Sequence, residues 1–333
     1  MTRLRLRWRW AALALAVPVT ILVGSFAYAA WISQRADYGW HPDLAHPAFA
    51  QDTGPVVTID HGHHNASTAQ WWGRYWPFGR LLRADGYRVH YNASRFTPSM
   101  LAGTDVLVIA NASGGAKPQF LGINLPWGGG PDRSAPAFDA REIEALKAWV
   151  EQGGRLLLIA DHAPFGKANA ALATMLGVRM HAGFTEVPGE ASDPLRFTLA
   201  DGRLDIAHPI VSGAQGGTPV ACVQTFTGQS LDGPPGAARL LRLPHNAVET
   251  IDDHGKLRET PAGAAQGLAF EEGKGRVVVL GEAAMLTAQV ADREPFGMQL
   301  PGCDNVAFAR NTLRWLSAGN SASTTSGGHH VGR

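Results

Sequence analysis

The stretch Val56-Val-Thr-Ile-Asp60 runs without a break into His61-Gly-His-His-Asn65. A short apolar, β-branched run followed at once by imidazole and carboxylate groups reads as a buried parallel strand delivering polar side chains at its carboxyl end. The pattern recurs three times. Asp105-Val-Leu-Val-Ile-Ala110 leads into Asn111-Ala-Ser-Gly-Gly115, and Arg155-Leu-Leu-Leu-Ile-Ala160 into Asp161-His-Ala-Pro-Phe-Gly166. Gly275-Arg-Val-Val-Val-Leu280 leads into Gly281-Glu282, and Arg88 to Tyr91 reads as a further strand.

Helical signals lie between these runs. Pro77 to Ala84 has proline in its first turn and Gly86 just past its end. Asp139 and Glu142 form a capping box, after which Ile143, Leu146, Trp149 and Val150 share one face up to Gly153-Gly154. Ala168 to Leu176 and Asn305 to Ser317 read as two more helices. Strands alternating with helices imply a mainly parallel sheet covered on both faces, with ligands bound at the carboxyl ends of the strands. From Val178 to Ala269 the rhythm changes to short strand-like pieces with turns such as Asp201-Gly202 and Asp232-Gly233, a β-rich insertion.

The chain has 333 residues, 45% of them hydrophobic, so a large core is available and global disorder is excluded. Its formal charge of +1 becomes −3 once Arg3, Arg5, Arg7 and Arg9 are set aside, which argues against a nucleic-acid partner. Those arginines precede a nearly uncharged run from Trp10 to Ile32, long enough to span a bilayer, with Trp8, Trp10, Tyr28 and Trp31 near its ends. Residues 1–33 therefore read as a membrane anchor that leaves the body on the extracytoplasmic (periplasmic) side. Ala27-Tyr28-Ala29 resembles a signal-peptidase site, but the apolar run continues beyond it, which favours the uncleaved anchor. Residues 34–54 read as a linker, 55–317 as the α/β body with the insertion at 178–269, and 318–333 as a disordered tail. Cys222 and Cys303 are either a disulfide or two separate buried thiols.

The parallel sheet would gather Asp60, His63, His64, Asn111, Asp161, His162 and Glu282 on one rim. Imidazoles and carboxylates together suit a divalent metal such as zinc or manganese, for which Asp60, His63 and His64 are the candidate ligands. Asp161, His162, Glu282 and Asn111 are the candidate catalytic groups, a His oriented by an Asp being able to act as general base without metal. Ser113 lies in a Gly-rich loop rather than a nucleophile elbow. The competing structural reading is that such strand-end residues cap helices and tie down loops. Trp71, Trp72, Tyr75, Trp76 and Phe78 could stack on a sugar, although packing a helix onto the sheet is the commoner use of such a cluster.

Asp60-His-Gly-His-His-Asn65, Phe78-Gly-Arg-Leu-Leu82, Asp85-Gly-Tyr87, Val150-Glu-Gln-Gly-Gly-Arg155, Ala160-Asp-His162 and the closing Gly275–Glu282 run together carry a resemblance. Over residues 55–317 the chain resembles bacterial membrane-anchored domains in the class I glutamine-amidotransferase-like superfamily, near the ThuA-like proteins. The resemblance implies a flavodoxin-like three-layer sandwich. True amidotransferases of that superfamily place a cysteine in the turn where this chain has Asp161-His162, so thiolate chemistry is not expected. Two functions remain open: a hydrolase, metal-assisted or not, and a non-catalytic envelope module that binds a small-molecule or carbohydrate ligand.

Overall fold

The computed structural model describes residues 16–25, 28, 34–71, 73–116, 119–120, 123–124, 131–190, 194–253 and 255–319. Five strands make the parallel part of a nine-stranded sheet: β1 (Val56–Asp60), β2 (Arg88–Asn92), β3 (Val106–Ala110), β4 (Arg155–Ile159) and β14 (Gly275–Leu280). They lie in the order β2-β1-β3-β4-β14, all parallel. This is the doubly wound order whose direction reverses between β1 and β3, where ligands of such folds bind.

Alternate residues explain why β1, β3, β4 and β14, unlike the edge strand β2, are largely apolar. Val106, Val108 and Ala110 of β3 face one core, which also holds Phe78, Leu81 and Leu82 of α1 (Trp76–Ala84) and Phe308, Leu313 and Leu316 of α4 (Asn305–Ser317). Leu107 and Ile109 face the other, with Leu146 and Val150 of α2 (Ala140–Glu151) and Leu172 and Ala173 of α3 (Phe165–Met175). A strand buried on both sides has no polar face to alternate with. The three layers expected from the sequence are present.

Beyond β14 the sheet turns antiparallel. The segment expected as a β-rich insertion divides three ways. β5 (Arg179–Met180), β9 (Leu231–Asp232), β10 (Ala238–Arg242) and β13 (Ala265–Glu272) extend the central sheet, with β13 pairing directly with β14. β6 (Phe184–Glu186), β11 (Val248–Asp253) and β12 (Lys256–Pro261) form a side sheet. β7 (Arg196–Thr198) and β8 (Cys222–Gln224) form a ribbon. Cys222 and Cys303 are joined as a disulfide, fastening this ribbon to the approach to α4.

The segment expected as a linker lies against the body. Arg35–Ala36 pairs antiparallel with β15 (Ala288–Ala291), which continues into β16 (Glu294–Gly297). The N–H groups of Ala48 and Phe49 donate to the side chain and backbone of buried Asp85, which Arg310 also grips with two nitrogens. Residues 16–25 are helical with exposed side chains, and the remainder of 10–32, apart from Tyr28, lies outside the described residues. Among the described residues no helix is long and apolar enough to cross a membrane. Of the tail expected at 318–333, residues 320–333, with His329 and His330, lie outside the described residues.

Candidate functional site

The parallel strands bring their carboxyl ends to one edge, and the polar residues there fall into fasteners and an open stretch. The tightest fastener centres on His63. Its Nδ1 lies 2.9 Å from Asp60 Oδ2 and its Nε2 2.8 Å from Glu142 Oε1, with all three residues buried. Phe96 and Phe138 flank the ring at centroid distances of 4.5 and 4.9 Å. Burial opposes protonation of His63, but the two carboxylates overcome it and raise its pKa above the ordinary value. Burial acts against ionised Glu142 as well; the Asp139 N–H, His63 and the Phe96 N–H outweigh it and lower its pKa. The ring thus bridges two carboxyl groups, clamping the end of β1 to the first turn of α2.

The other expected groups are equally engaged. Asp60 also accepts from Asn92 Nδ2 and the Gly62 N–H. Asn111, at φ 51°, accepts the Asp161 N–H on its Oδ1 and donates to Ser67 Oγ. Glu282, fully buried, receives the Ala284 and Met285 N–H groups on its two oxygens, each at 2.7 Å. Ser113 is buried with its hydroxyl near the carbonyls of His64 and Gly115. His61 lies away from His63, stacked on Tyr91 at 4.8 Å; its Nε2 accepts the Ala69 N–H, and burial lowers its pKa. Among the described residues no group of three or more His, Cys, Asp or Glu is arranged to hold a metal ion. Of the residues proposed as metal ligands, Asp60 and His63 direct their donor atoms at each other, at protein N–H groups and at Glu142. His64 alone is exposed.

The open stretch has two parts. At the β1/β3 reversal lies a cleft of about 280 Å³, lined among others by His64, Arg95, Ser113, Gly114, Phe138 and Asp139. Beside it, at the end of β4, Asp161 and His162 are partly exposed. Asp161 Oδ1 accepts the His162 N–H, so the side chain anchors its own loop and does not cap α3, whose N-cap is Pro164. Burial raises the Asp161 pKa against the opposing pull of His162 and Arg74. His162 Nδ1 lies 2.8 Å from the Ala163 carbonyl, which can only accept, so Nδ1 carries the proton. Its ring stacks on Phe184 at 4.2 Å, and its Nε2 has no hydrogen-bond partner among the described residues.

Four residues at this edge carry weight that the sequence reading did not assign them. Glu142 was legible as a helix cap, and the box forms as expected, but its second task on His63 joins positions 79 residues apart. Arg74 and Arg133 come from loops with no periodic or motif signal. Gln229, in the Thr225–Ser230 segment, reaches the edge and donates to the Ala160 and Asp161 carbonyls. The aromatic cluster splits. Tyr75 and Phe78 are core, Trp71 is exposed beside Tyr38 at 6.2 Å, and Trp72 lies outside the described residues.

No protein-family model matches the chain, and no curated protein matches it in sequence. Among solved structures, the mmIFT52 N-terminal domain is similar over 80% of this chain and 98% of its own length, at TM-score 0.53 and 14% identity. The cytoplasmic protein STM3548 from Salmonella typhimurium matches over 79% and 99%, at TM-score 0.47 and 15% identity. Structural neighbours include ThuA-like proteins. One from Bacteroides uniformis matches over 83% of this chain and 94% of its own, at TM-score 0.44 and 12% identity. At these identities the likeness is one of fold.

Proposed function

We propose that the chain is a membrane-tethered, extracytoplasmic ligand-binding module rather than a metal-assisted hydrolase. One observation carries the reading: the carboxylates and imidazole that would form a metal centre or acid–base pair hold the loops of the edge together. Asp60, His63, Glu142, Asn111 and Glu282 direct their polar atoms at each other and at backbone groups. What remains open is a polar cleft at the strand-order reversal, the place where such folds seat small ligands. Membership of the glutamine-amidotransferase-like superfamily belongs to the same proposal. The strand order favours it, and the pairing of both cysteines leaves no thiolate for glutamine hydrolysis. The disulfide also favours an oxidising compartment for the body.

Metal analysis tests the proposal. The purified full chain should carry no stoichiometric zinc or manganese, and adding either should leave its melting temperature unchanged. Stoichiometric metal that is lost in His63→Ala or Asp161→Ala would overturn it. The hydrolase reading keeps one observation, the unengaged Nε2 of His162. Turnover of p-nitrophenyl ester, phosphate or glycoside substrates that vanishes in His162→Ala would favour that reading instead.

A further inference from the structure

Three aromatic rings stand in the open where the N-terminal segment meets the body. Trp71, Tyr91 and Tyr38 are 66%, 41% and 38% exposed. Tyr38 comes three residues after Arg35, where the chain is pinned to β15, and its ring lies 6.2 Å from that of Trp71, which a separate loop supplies. Tyr91 belongs to β2, the edge strand of the central sheet.

Two guanidinium groups, one turn apart on α1, lie between these rings. Arg80 donates through Nη1 to the Tyr38 carbonyl at 2.9 Å and through Nη2 to the ring of His41. Arg83 sits with its Cζ 5.4 Å from the centre of the Tyr91 ring and donates to the Tyr91 hydroxyl and the Gly79 carbonyl. Among the described residues neither guanidinium is paired with a carboxylate. From His61 to Thr104 the chain has five arginines and one acidic residue, Asp85, which is buried and gripped by Arg310. Asp37, beside Tyr38, turns its carboxylate to the Gly39 N–H. The flank is therefore positive as well as aromatic.

Tryptophan, tyrosine and arginine each join an apolar body to a polar head, the combination that settles at the headgroup level of a bilayer. Position points to the same partner. The apolar run closes at Ile32, and Tyr38 lies six residues beyond it, at most about 20 Å of extended chain. A second copy of the chain would bring the same positive charge to this face and be repelled, whereas an anionic leaflet is complementary to it.

We infer that the outer face of α1, with the Tyr38–Trp71 pair, is a docking surface for the anionic headgroups of the bilayer that holds the tether. This rests on the tethered-module reading and adds which side of the body meets the membrane: the β2 edge of the sheet lies against it, and the antiparallel edge faces away.

Both native cysteines are paired, so one introduced cysteine is a unique labelling site. The full chain with Trp71→Cys, a nitroxide taking the place of the indole, is placed in phosphatidylglycerol nanodiscs, and power saturation reads its collisions with a water-soluble nickel chelate. The reference is a label at Leu257→Cys, 77% exposed on the β11–β12 hairpin beyond the opposite edge of the sheet. Position 71 should be shielded from nickel relative to position 257. Phosphatidylcholine discs, or Arg80→Gln/Arg83→Gln in phosphatidylglycerol, should lower the ratio of docked to free body by about tenfold or more. Arg80→Lys/Arg83→Lys should keep the shielding, which separates loss of charge from loss of fold. A chain held in the disc with positions 71 and 257 equally open to nickel would overturn the docking surface alone. Shielding of position 71 that is identical in both lipids and in dodecyl maltoside would overturn it too, since the cover would then be protein. A chain recovered free of the discs would overturn the tether beneath it.

Discussion

His63 shows how one side chain can look like chemistry and act as structure. A histidine cluster at a strand end is a fair sign of a site, yet only the fold reveals that both ring nitrogens already meet carboxylates. The sequence showed Asp60 and Glu142 separately, one as a strand end and one as a helix cap. The contact joining them depends on how α2 packs against the sheet, which no local pattern encodes. Arg74 and Arg133 were illegible for the same reason. A consequence in pH follows. Because the folded pKa of His63 is raised above about 6.5, its ion pairing is fully present below that value and is lost as pH climbs through the raised one. Because that of Glu142 is lowered, its share is present above about 4.5 and is lost as pH falls through the lowered value. His63→Gln should cost about 3 kcal/mol near pH 5–6, and less at pH 9. His208 works the other way. Its ring packs on Trp315, and burial holds its pKa at about 4, so its contribution drains away as pH drops from 6.5 toward 4. Melting curves from pH 4 to 9 of the native chain, His63→Gln and His208→Gln check both. A His63→Gln deficit that is flat across pH would contradict the clamp.

Four of the strands that sequence reading found are buried on both faces. β1, β3, β4 and β14 are continuous apolar runs, and the capping box opens α2 at Asp139 as expected. The antiparallel half of the sheet was less legible because β5 and β9 are two residues long and have no periodicity to read. Such short pieces are strands only because β13 offers β9 an edge and β9 in turn offers one to β5. The β7/β8 ribbon, by contrast, is fastened covalently. The Cys222–Cys303 bond closes a loop with a sequence separation of 81, and on the chain-entropy account that is worth about 4.5 kcal/mol. Dithiothreitol should lower the melting temperature by several degrees, and Cys222→Ser/Cys303→Ser should melt low with or without reductant. A native chain that melts identically under reducing and oxidising conditions would contradict this account.

At the scale of the whole molecule, composition and the spacing of apolar runs were enough to expect one large α/β body, because a covered parallel sheet imposes its rhythm on both sides of the β-rich insertion. Orientation is the claim that now needs measurement. In cells of a Gram-negative host, proteinase K should digest the body once the outer membrane is opened, while the inner membrane is intact. Protection until the inner membrane is lysed would place the body on the cytoplasmic side and withdraw the tethered-module proposal.

The strand pair at Arg35–Ala36 sets a limit on reach. If residues 10–32 cross the bilayer, only two residues separate the span from the first backbone contacts of the body, a leash of roughly 10 Å at full stretch. A protein so moored cannot sweep the compartment for distant targets. It samples only the thin aqueous layer above the headgroups, always with the same flank turned toward them. Lengthening the leash with a flexible insert ahead of Arg35 would then alter which molecules it meets and leave its intrinsic affinity for them untouched.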